Sequence, residues 1–300
     1  MSDNNNGNNG KNGSNVLARK AMISTLETSS WSGRKVDKEA TDELLRSKRA
    51  DEGSGNFSKQ LIDKEALSNI KSIISEARRY HKEITMAWDE KGGRLLPSTK
   101  YSSHTAKMRE CQDKLKEEVD KFIENYDNLV NDSSYRLGDL FNNQEYPDKE
   151  ELRNKFAINI DYDKVPEGND FRLDIPEEEQ EQIRKDIEKK VQDQHAEAMK
   201  RVWKRIYSAV ENMHEKLKDE DKIFRNSMVR KIEDLVKILP ELNVTDNKEL
   251  ATMTEELRNE LCGIDPDDLR KDKEARKEAA DKSGAVLERI NELSHLYETA

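Results

Sequence analysis

The sequence predicts a mainly α protein, an elongated helical bundle with long coiled-coil-like helices and a small β-hairpin element. Of its 300 residues, 39% are charged and 33% hydrophobic, whereas an average globular domain is about 25% charged and about 45–50% apolar. So much charge requires a large surface, which long helices provide. Only 12 Gly and 6 Pro interrupt the chain. Apolar residues recur every three or four positions over long stretches, as on one helix face.

The N-terminal part of the chain combines a polar tail with short elements. Residues 1–15 are mostly Asn, Gly and Ser, a composition typical of disordered chain. In the segment Ala21–Trp31, successive side chains would lie on opposite faces of an extended chain, and many are β-branched or carry a hydroxyl group. This pattern predicts a strand. A turn at Ser32–Gly33 and a short helix over Lys35–Arg49 should follow, and the cluster Asp51–Asn56 should end that helix.

Two apolar stripes predict an antiparallel helical hairpin. The first stripe contains Leu67, Ile70, Ile74, Ala77, His81, Ile84 and Trp88. The second contains Met108, Cys111, Leu115, Val119, Phe122, Tyr126 and Leu129. Residues 89–100, with paired glycines and a proline, are expected to form the loop between the two helices.

Short helices and a β-hairpin are predicted next. Asp132 is expected to cap one short helix, and Pro147–Asp148 to open another. Residues 156–175 alternate in polarity on both sides of a turn at Pro166–Asn169, which predicts a β-hairpin. Ile23–Leu26 is a candidate third strand of the same sheet.

A long helix is predicted from Pro176 onward, because the three glutamates that follow complement the positive end of a helix dipole. Its stripe contains Ile183, Ile187, Val191, His195, Met199, Val202, Ile206, Val210, Met213 and Leu217. Three further helices should follow, with a solvated charged stretch at Asp265–Lys282 between the last two. We therefore divide the chain into a disordered tail (1–15), a strand, helical hairpin and β-hairpin (16–175), and the long helix with the C-terminal helices (176–300).

Charge and cysteine content limit the class of protein. The chain has 53 Lys and Arg against 63 Asp and Glu, a net charge of −10, which disfavours a protein that wraps duplex nucleic acid. Two cysteines without a CxxC pair are typical of a reducing compartment. No stretch approaches the roughly 18 consecutive apolar residues of a membrane span. We expect a soluble intracellular protein.

The motifs of common enzymes are not found in the sequence. It contains no GxGxxG, GxxxxGK[ST], HExxH or GxSxG, and no His/Cys pair with metal-binding spacing. His81 and His195 are expected at buried or interface positions, and His104 and His214 on helix surfaces. Carboxylates cluster at helix starts, where the dipole alone explains them. We expect no enzyme, no cofactor and no metal site.

Two sets of residues are candidates for contacts. The first interleaves cations and aromatic rings within two helical turns, the mixture that single-stranded nucleic acid requires: Lys200, Arg201, Trp203, Lys204, Arg205 and Tyr207. The same spacing suits a second buried face at Trp203 and Tyr207, with the cations paired to Glu197 or Glu211. The second set is a candidate polar tip: Trp31, Arg34, Lys35, Arg94 and Arg172. Large side chains at such turns more often hold segments together.

Five strings carry a family resemblance: ISTLETSSWSGRKVDKEAT, TMAWDEKGGRLLPSTKY, LGDLFNNQEYP, DFRLDIPEEE and LPELNVTDNKEL. In this order and spacing, over about residues 24–261, they resemble a family of tailed-bacteriophage and prophage proteins classified as a numbered domain of unknown function. Genes of that family often lie near ring-forming ATPases of the MoxR type or near replication and recombination genes. The resemblance implies a phage protein in the cytoplasm of the infected bacterial host, and it implies no catalytic residue.

We therefore expect a non-enzymatic, phage-encoded interaction or adaptor protein. Its partner would be a phage ATPase or a host factor, and its long apolar stripes favour a homo-oligomer, most simply a dimer. Two alternatives stay open. One is a single-stranded nucleic-acid accessory protein of phage replication or recombination, acting through Lys200–Tyr207. The other is an inhibitor of a host antiphage defence complex that acts by surface mimicry. No membrane contact is expected.

Overall fold

The computed structural model describes residues 16–168, 176–219 and 224–298, and these residues form mainly helices with a small antiparallel sheet. The mainly α class is thus confirmed, while the elongated shape and the coiled-coil packing stay predictions. The tail (1–15), the second strand of the predicted hairpin (171–175) and Arg172 lie outside the described residues. Within the described ranges, no helix combines the length and the apolar composition that a membrane crossing requires.

Helices dominate the element order. They are α1 (residues 16–20), α2 (Lys38–Lys48), α3 (Ser68–Glu83), α4 (Tyr101–Glu124), α5 (Tyr126–Leu137), α6 (Lys149–Arg153), α7 (Glu177–Lys218), α8 (Asn226–Leu242), α9 (Lys248–Leu261), α10 (Asp268–Lys271) and α11 (Lys273–Glu298). The strands are β1 (Ala21–Ser29), β2 (Arg34–Val36), β3 (Ser58–Gln60), β4 (Met86–Ala87), β5 (Gly93–Pro97) and β6 (Ala157–Lys164).

The larger sheet has the strand order β4-β5-β1-β6, and β2 pairs with β3 in a separate antiparallel ribbon. Ile23–Leu26 lies in β1 beside β6, as the sequence predicts. Residues 89–100 were expected to form only a loop, and this was wrong, because β5 pairs antiparallel with both β1 and β4. Its consecutive Leu95 and Leu96 are both buried, so this strand is covered on both faces.

A tight turn directly precedes β5. The Asp89 carboxylate accepts hydrogen bonds from the backbone N–H groups of Lys91 and Gly93 at 2.8 and 2.9 Å. Gly92 has a φ of +95°, a conformation that favours glycine. A Cβ at Gly93 would lie 2.6 Å from the Asp89 Oδ2 atom. The paired glycines therefore serve the turn that the sequence predicts at KGGR.

The described chain divides into two compact units. The first unit contains the residues up to Thr25, Lys82–Ser102 and the chain from Asp161 onward. The second unit contains Leu26–His81 and Ser103–Ile160. The division at residue 175 that the sequence suggests stays a prediction.

The core of the second unit is built from the two predicted stripes. Residues of α3, α4, α6 and β6 form one buried cluster, which includes Ile70, Ile74, Ala77, Met108, Cys111, Leu115, Val119, Phe122, Leu152 and Ile158. The first stripe leaves the helix before its end, since α3 stops at Glu83. Ile84 and Trp88 are therefore buried but not helical, contrary to the single helix face expected.

Two cap predictions have opposite outcomes. Asp148 caps α6, because its side chain accepts from the Glu151 N–H at 2.8 Å. Asp132 caps no helix and lies inside α5. The hydroxyl of Ser133 donates to the Leu129 carbonyl within the same helix, so this polar stretch continues the helix instead of starting one.

The first unit is built on α7, a helix of 42 residues. Most of its predicted stripe is buried, while Ile183, Ile187 and His195 are half-buried. The charged stretch Asp265–Lys282 is mostly exposed, as expected of a solvated segment, and it forms α10 and the start of α11. Leu269 is buried there, and Arg276 donates to three backbone carbonyls at the end of α7. Those carbonyls attract a cation to the helix end.

Candidate functional site

The aromatic residues of the Lys200–Tyr207 segment are not both on the surface. Trp203 is only 2% exposed, which confirms the alternative in which it belongs to a second buried face of α7. Tyr207 is half-buried, and a hydrogen bond to Glu211 raises the pKa of its hydroxyl. The segment therefore offers a surface of cations with a partly covered tyrosine.

The cations of the segment fall into two groups. Lys200 and Lys204 are exposed, one turn apart. Arg201 is also exposed, and its Nε atom lies 3.3 Å from a carboxylate oxygen of Glu197, a pairing the sequence allows. Arg205 is half-buried and donates from Nη1 to the Glu83 carbonyl at 2.9 Å. Arg205 therefore contacts the last residue of α3.

Arg94 contacts the same helix end from β5. Its Nε donates to the Thr85 hydroxyl at 2.6 Å. Its Nη2 donates to the Thr85 carbonyl at 2.9 Å and to the Lys82 carbonyl at 3.3 Å. Carbonyls at the C-terminal end of a helix are partly negative and lack helical partners, so they attract cations. Arg94, Arg201 and Arg205 are hereafter called the arginine cluster.

The charges of the arginine cluster are only partly compensated. Burial, and then repulsion from Arg205 and Arg201, lowers the pKa of Arg94 to about 10, so Arg94 remains charged at neutral pH. Burial also lowers the pKa of Arg205, against the opposing effect of Glu83. Glu197 pairs with Arg201 on the surface of α7.

The arrangement can bind an anion. A guanidinium has five N–H donors in a planar fork that matches a carboxylate or a phosphate. The bonds of Arg94 to described residues use Nε and Nη2, so Nη1 is available to a ligand. Arg205 uses one N–H of Nη1. The described ranges contain no group of three or more His, Cys, Asp or Glu side chains placed to hold a metal ion.

Residues 19–255 match a family described as "Protein of unknown function (DUF3150)". The chain belongs to the DUF3150 family. All three residues of the arginine cluster lie within the matched region. Comparisons with curated proteins and with solved structures find no match. The sequence resemblance is confirmed at the level of a domain of unknown function.

The candidate polar tip of the DUF3150 chain is distributed over both units. Trp31, Arg34 and Lys35 belong to the second unit and Arg94 to the first. The Trp31 ring packs 6.4 Å from Phe122, between centroids, consistent with a role in holding segments together. Arg34 donates to the Gln60 side chain at 2.8 Å, and Lys35 is exposed.

A buried ion triad in the second unit was missed by sequence reasoning. The Lys59 side chain is 3% exposed, and its Nζ lies 2.7 Å from Asp37 and 2.8 Å from Glu145. It also donates to the Leu140 carbonyl at 2.7 Å. Burial opposes the charge, yet hydrogen bonds to Asp37 and Glu145 raise the pKa of Lys59. The three acceptors of the ammonium group all belong to the second unit. We therefore assign the triad a structural role.

A second missed feature is a pair of buried imidazoles. His104 was expected on a helix surface and is fully buried, so that expectation was wrong. Its Nε2 lies 3.0 Å from Nδ1 of His81, which is buried as expected. Burial lowers the pKa of His104 to about 4. The ring of Tyr80 stacks on it at 6.3 Å. The sequence carries a signal for this burial, because His104 lies four residues before Met108 and continues the apolar stripe by one turn.

Proposed function

We propose that this DUF3150 chain is a non-enzymatic interaction protein that binds a protein partner. In this proposal it is phage-encoded and acts in the cytoplasm of the infected bacterium, together with a ring-forming ATPase or a host factor. The observation that carries the choice of a protein partner is the burial of Trp203. The genomic setting rests on the family resemblance alone.

The burial of Trp203 argues against the main alternative function, that of a single-stranded nucleic-acid accessory protein. Proteins that bind single strands stack bases on aromatic faces, each worth about 1–3 kcal/mol. At 2% exposure the Trp203 indole has no free face. The remaining cations lie on a chain of net charge −10, which repels a long polyanion. A protein partner that brings a short acidic segment to the cations avoids most of this repulsion.

Nucleic-acid binding is a second candidate because Lys200 and Lys204 are exposed one turn apart, next to Arg205. We expect only weak, non-specific binding of single-stranded DNA, at about 10⁻⁴ M. Fluorescence anisotropy with labelled oligothymidylate measures it. A submicromolar, salt-sensitive affinity that disappears when Lys200, Lys204 and Arg205 are all changed to Gln would establish this rival instead.

The protein-binding proposal is tested in infected cells. The tagged chain is purified from phage-infected bacteria, and the captured proteins are identified by mass spectrometry. We expect a phage ATPase or one host protein in near-equal amount with the chain, and no such protein with an unrelated tagged helical protein. If the chain repeatedly returns no partner, or returns nuclease-sensitive nucleic acid instead, the proposal fails.

We also propose a homodimer. Ile183 and Ile187 continue the buried stripe of α7 but are only half-buried among the described residues, and a second copy would cover their remaining apolar area. Sedimentation equilibrium of the full chain measures the mass in solution. We expect twice the chain mass, and a lower association constant for the double variant Ile183→Gln with Ile187→Gln. A monomer at all concentrations would contradict the proposal.

A further inference from the structure

We propose that the arginine cluster is the docking site for carboxylates of an acidic segment on the protein partner. The inference rests on the proposed function, since the segment belongs to that partner. It goes further by naming the residues and the chemistry of the contact. Arg94 and Arg205 were found in two separate sequence patterns, and the fold of the first unit brings both to one end of α3. Arg201 lies one helical turn before Arg205 on α7.

Two guanidinium groups of the cluster are held in place before any ligand arrives. Arg94 makes three hydrogen bonds at the end of α3, two of them to backbone carbonyls. Arg205 makes one to the adjacent Glu83 carbonyl. A ligand that binds such side chains does not have to immobilise them first, which removes part of the entropic cost of binding.

The arginine cluster keeps N–H donors for a ligand. The Nη1 group of Arg94 and all of Arg205 except one Nη1 hydrogen are not used in bonds to described residues. Arg201 uses Nε with Glu197, an exposed ion pair that is easily exchanged because exposed pairs contribute little. The guanidinium fork accepts a carboxylate in a bidentate geometry.

The charge of the arginine cluster also favours an anionic ligand. Arg205 and Arg201 repel Arg94, while Glu83 attracts Arg205 and Glu197 pairs with Arg201. Lys200 and Lys204 extend the positive surface along α7. An anion placed between the guanidinium groups relieves this repulsion, whereas the chain as a whole, with a net charge of −10, repels an anion. The cluster therefore selects a short acidic segment by charge complementarity.

The test uses the full chain and labelled decaglutamate as the probe, with decaglutamine as the uncharged control. Fluorescence anisotropy at low salt is expected to show saturable binding of decaglutamate only. Arg201→Gln and Arg205→Gln should each weaken it about tenfold, as expected for a hydrogen bond to a charged group. Arg205→Lys, which keeps the charge without the fork, should lose less.

Arg258→Gln is the matched control. Arg258 is an exposed arginine of α9 that pairs with Glu255 as Arg201 pairs with Glu197, so its loss should leave the affinity unchanged. Circular dichroism melting of each variant checks the fold. Arg205→Gln also removes a hydrogen bond to the end of α3 and could alter the fold. Arg201→Gln removes no such bond, so a loss of affinity in this variant reports on ligand binding.

Three results would overturn the inference. These are no binding of decaglutamate, an equal loss in Arg258→Gln and Arg201→Gln, or tighter binding of oligothymidylate or inorganic phosphate than of decaglutamate. The last result would assign the cluster to phosphate. In infected cells, a partner captured equally by the wild type and by Arg201→Gln would refute the docking site and leave the proposed function standing. Failure of the wild type to capture any protein would refute the proposed function itself.

Discussion

His104 should make the second unit sensitive to acid. Its side chain is 0% exposed, and burial lowers its pKa from 6.5 to about 4. The folded state therefore binds a proton less readily than the unfolded state, and stability is lost as the pH falls from 6.5 toward 4. One unit of pKa corresponds to about 1.36 kcal/mol. The full loss is then about 3 kcal/mol, with about 2 kcal/mol already lost at pH 5.

The perturbation is His104→Gln, whose amide can still bond His81 but does not titrate. Urea unfolding followed by circular dichroism gives the free energy of unfolding at pH 7.5 and at pH 5. We expect the variant to be less stable at pH 7.5 and to lose about 2 kcal/mol less than the wild type on acidification. Ile74→Ala serves as the control, because it lowers stability in the same unit without removing a titratable group.

The outcome that refutes this reasoning is a parallel loss. If wild type and His104→Gln lose the same stability between pH 7.5 and pH 5, while Ile74→Ala behaves like the wild type, protonation of His104 is not linked to unfolding. A pKa of His104 near 6.5, measured by NMR titration of the folded protein, would lead to the same conclusion.

Other substitutions test packing, the ion triad and the turn before β5. Lys59→Met should cost about 3–5 kcal/mol because two carboxylates lose their buried cation, whereas Lys71→Met at an exposed site of α3 should change the urea midpoint little. Ile206→Ala, at a side chain with 0% exposure, should cost about 2–5 kcal/mol in thermal or urea unfolding. Gly93→Ala places a Cβ 2.6 Å from the Asp89 carboxylate, which holds the turn before β5. This substitution should lower the melting temperature. Gly55→Ala, whose Cβ would lie more than 4 Å from every described residue other than its chain neighbours, should not, and equal shifts would contradict this account.

Helical periodicity carried most of the successful predictions. The stripes of α3, α4 and α7 repeat over many turns, and each repeat adds evidence for the same buried face. β5 gave no comparable signal, because it is short and lies among glycines and a proline that are typical of loops. It is a strand because it pairs with β1, far earlier in the chain, and no local pattern encodes such a pairing.

The candidate site was predicted in parts. Composition identified Arg201 and Arg205, and a turn position identified Arg94, but their meeting depends on tertiary contacts between β5, α3 and α7. The spacing at Trp203 was compatible with both a buried face and a stacking surface, and only packing decides between them. Lys59 lies in a short polar strand, and nothing in the sequence distinguishes it from the many surface lysines.

The discontinuity of the first unit bears on how the protein folds during synthesis. The first half of β1 leaves the ribosome early, whereas α7 and α11, which pack along each other in the same unit, are translated last. Contacts between distant parts of a chain form slowly, and a nascent chain with uncovered apolar surface is prone to aggregate. A chain released before residue 273 would lack α11 altogether and would present part of the α7 stripe to water. We therefore expect prematurely terminated chains to be substrates for chaperones and proteases, and the first unit to complete its folding only near the end of translation.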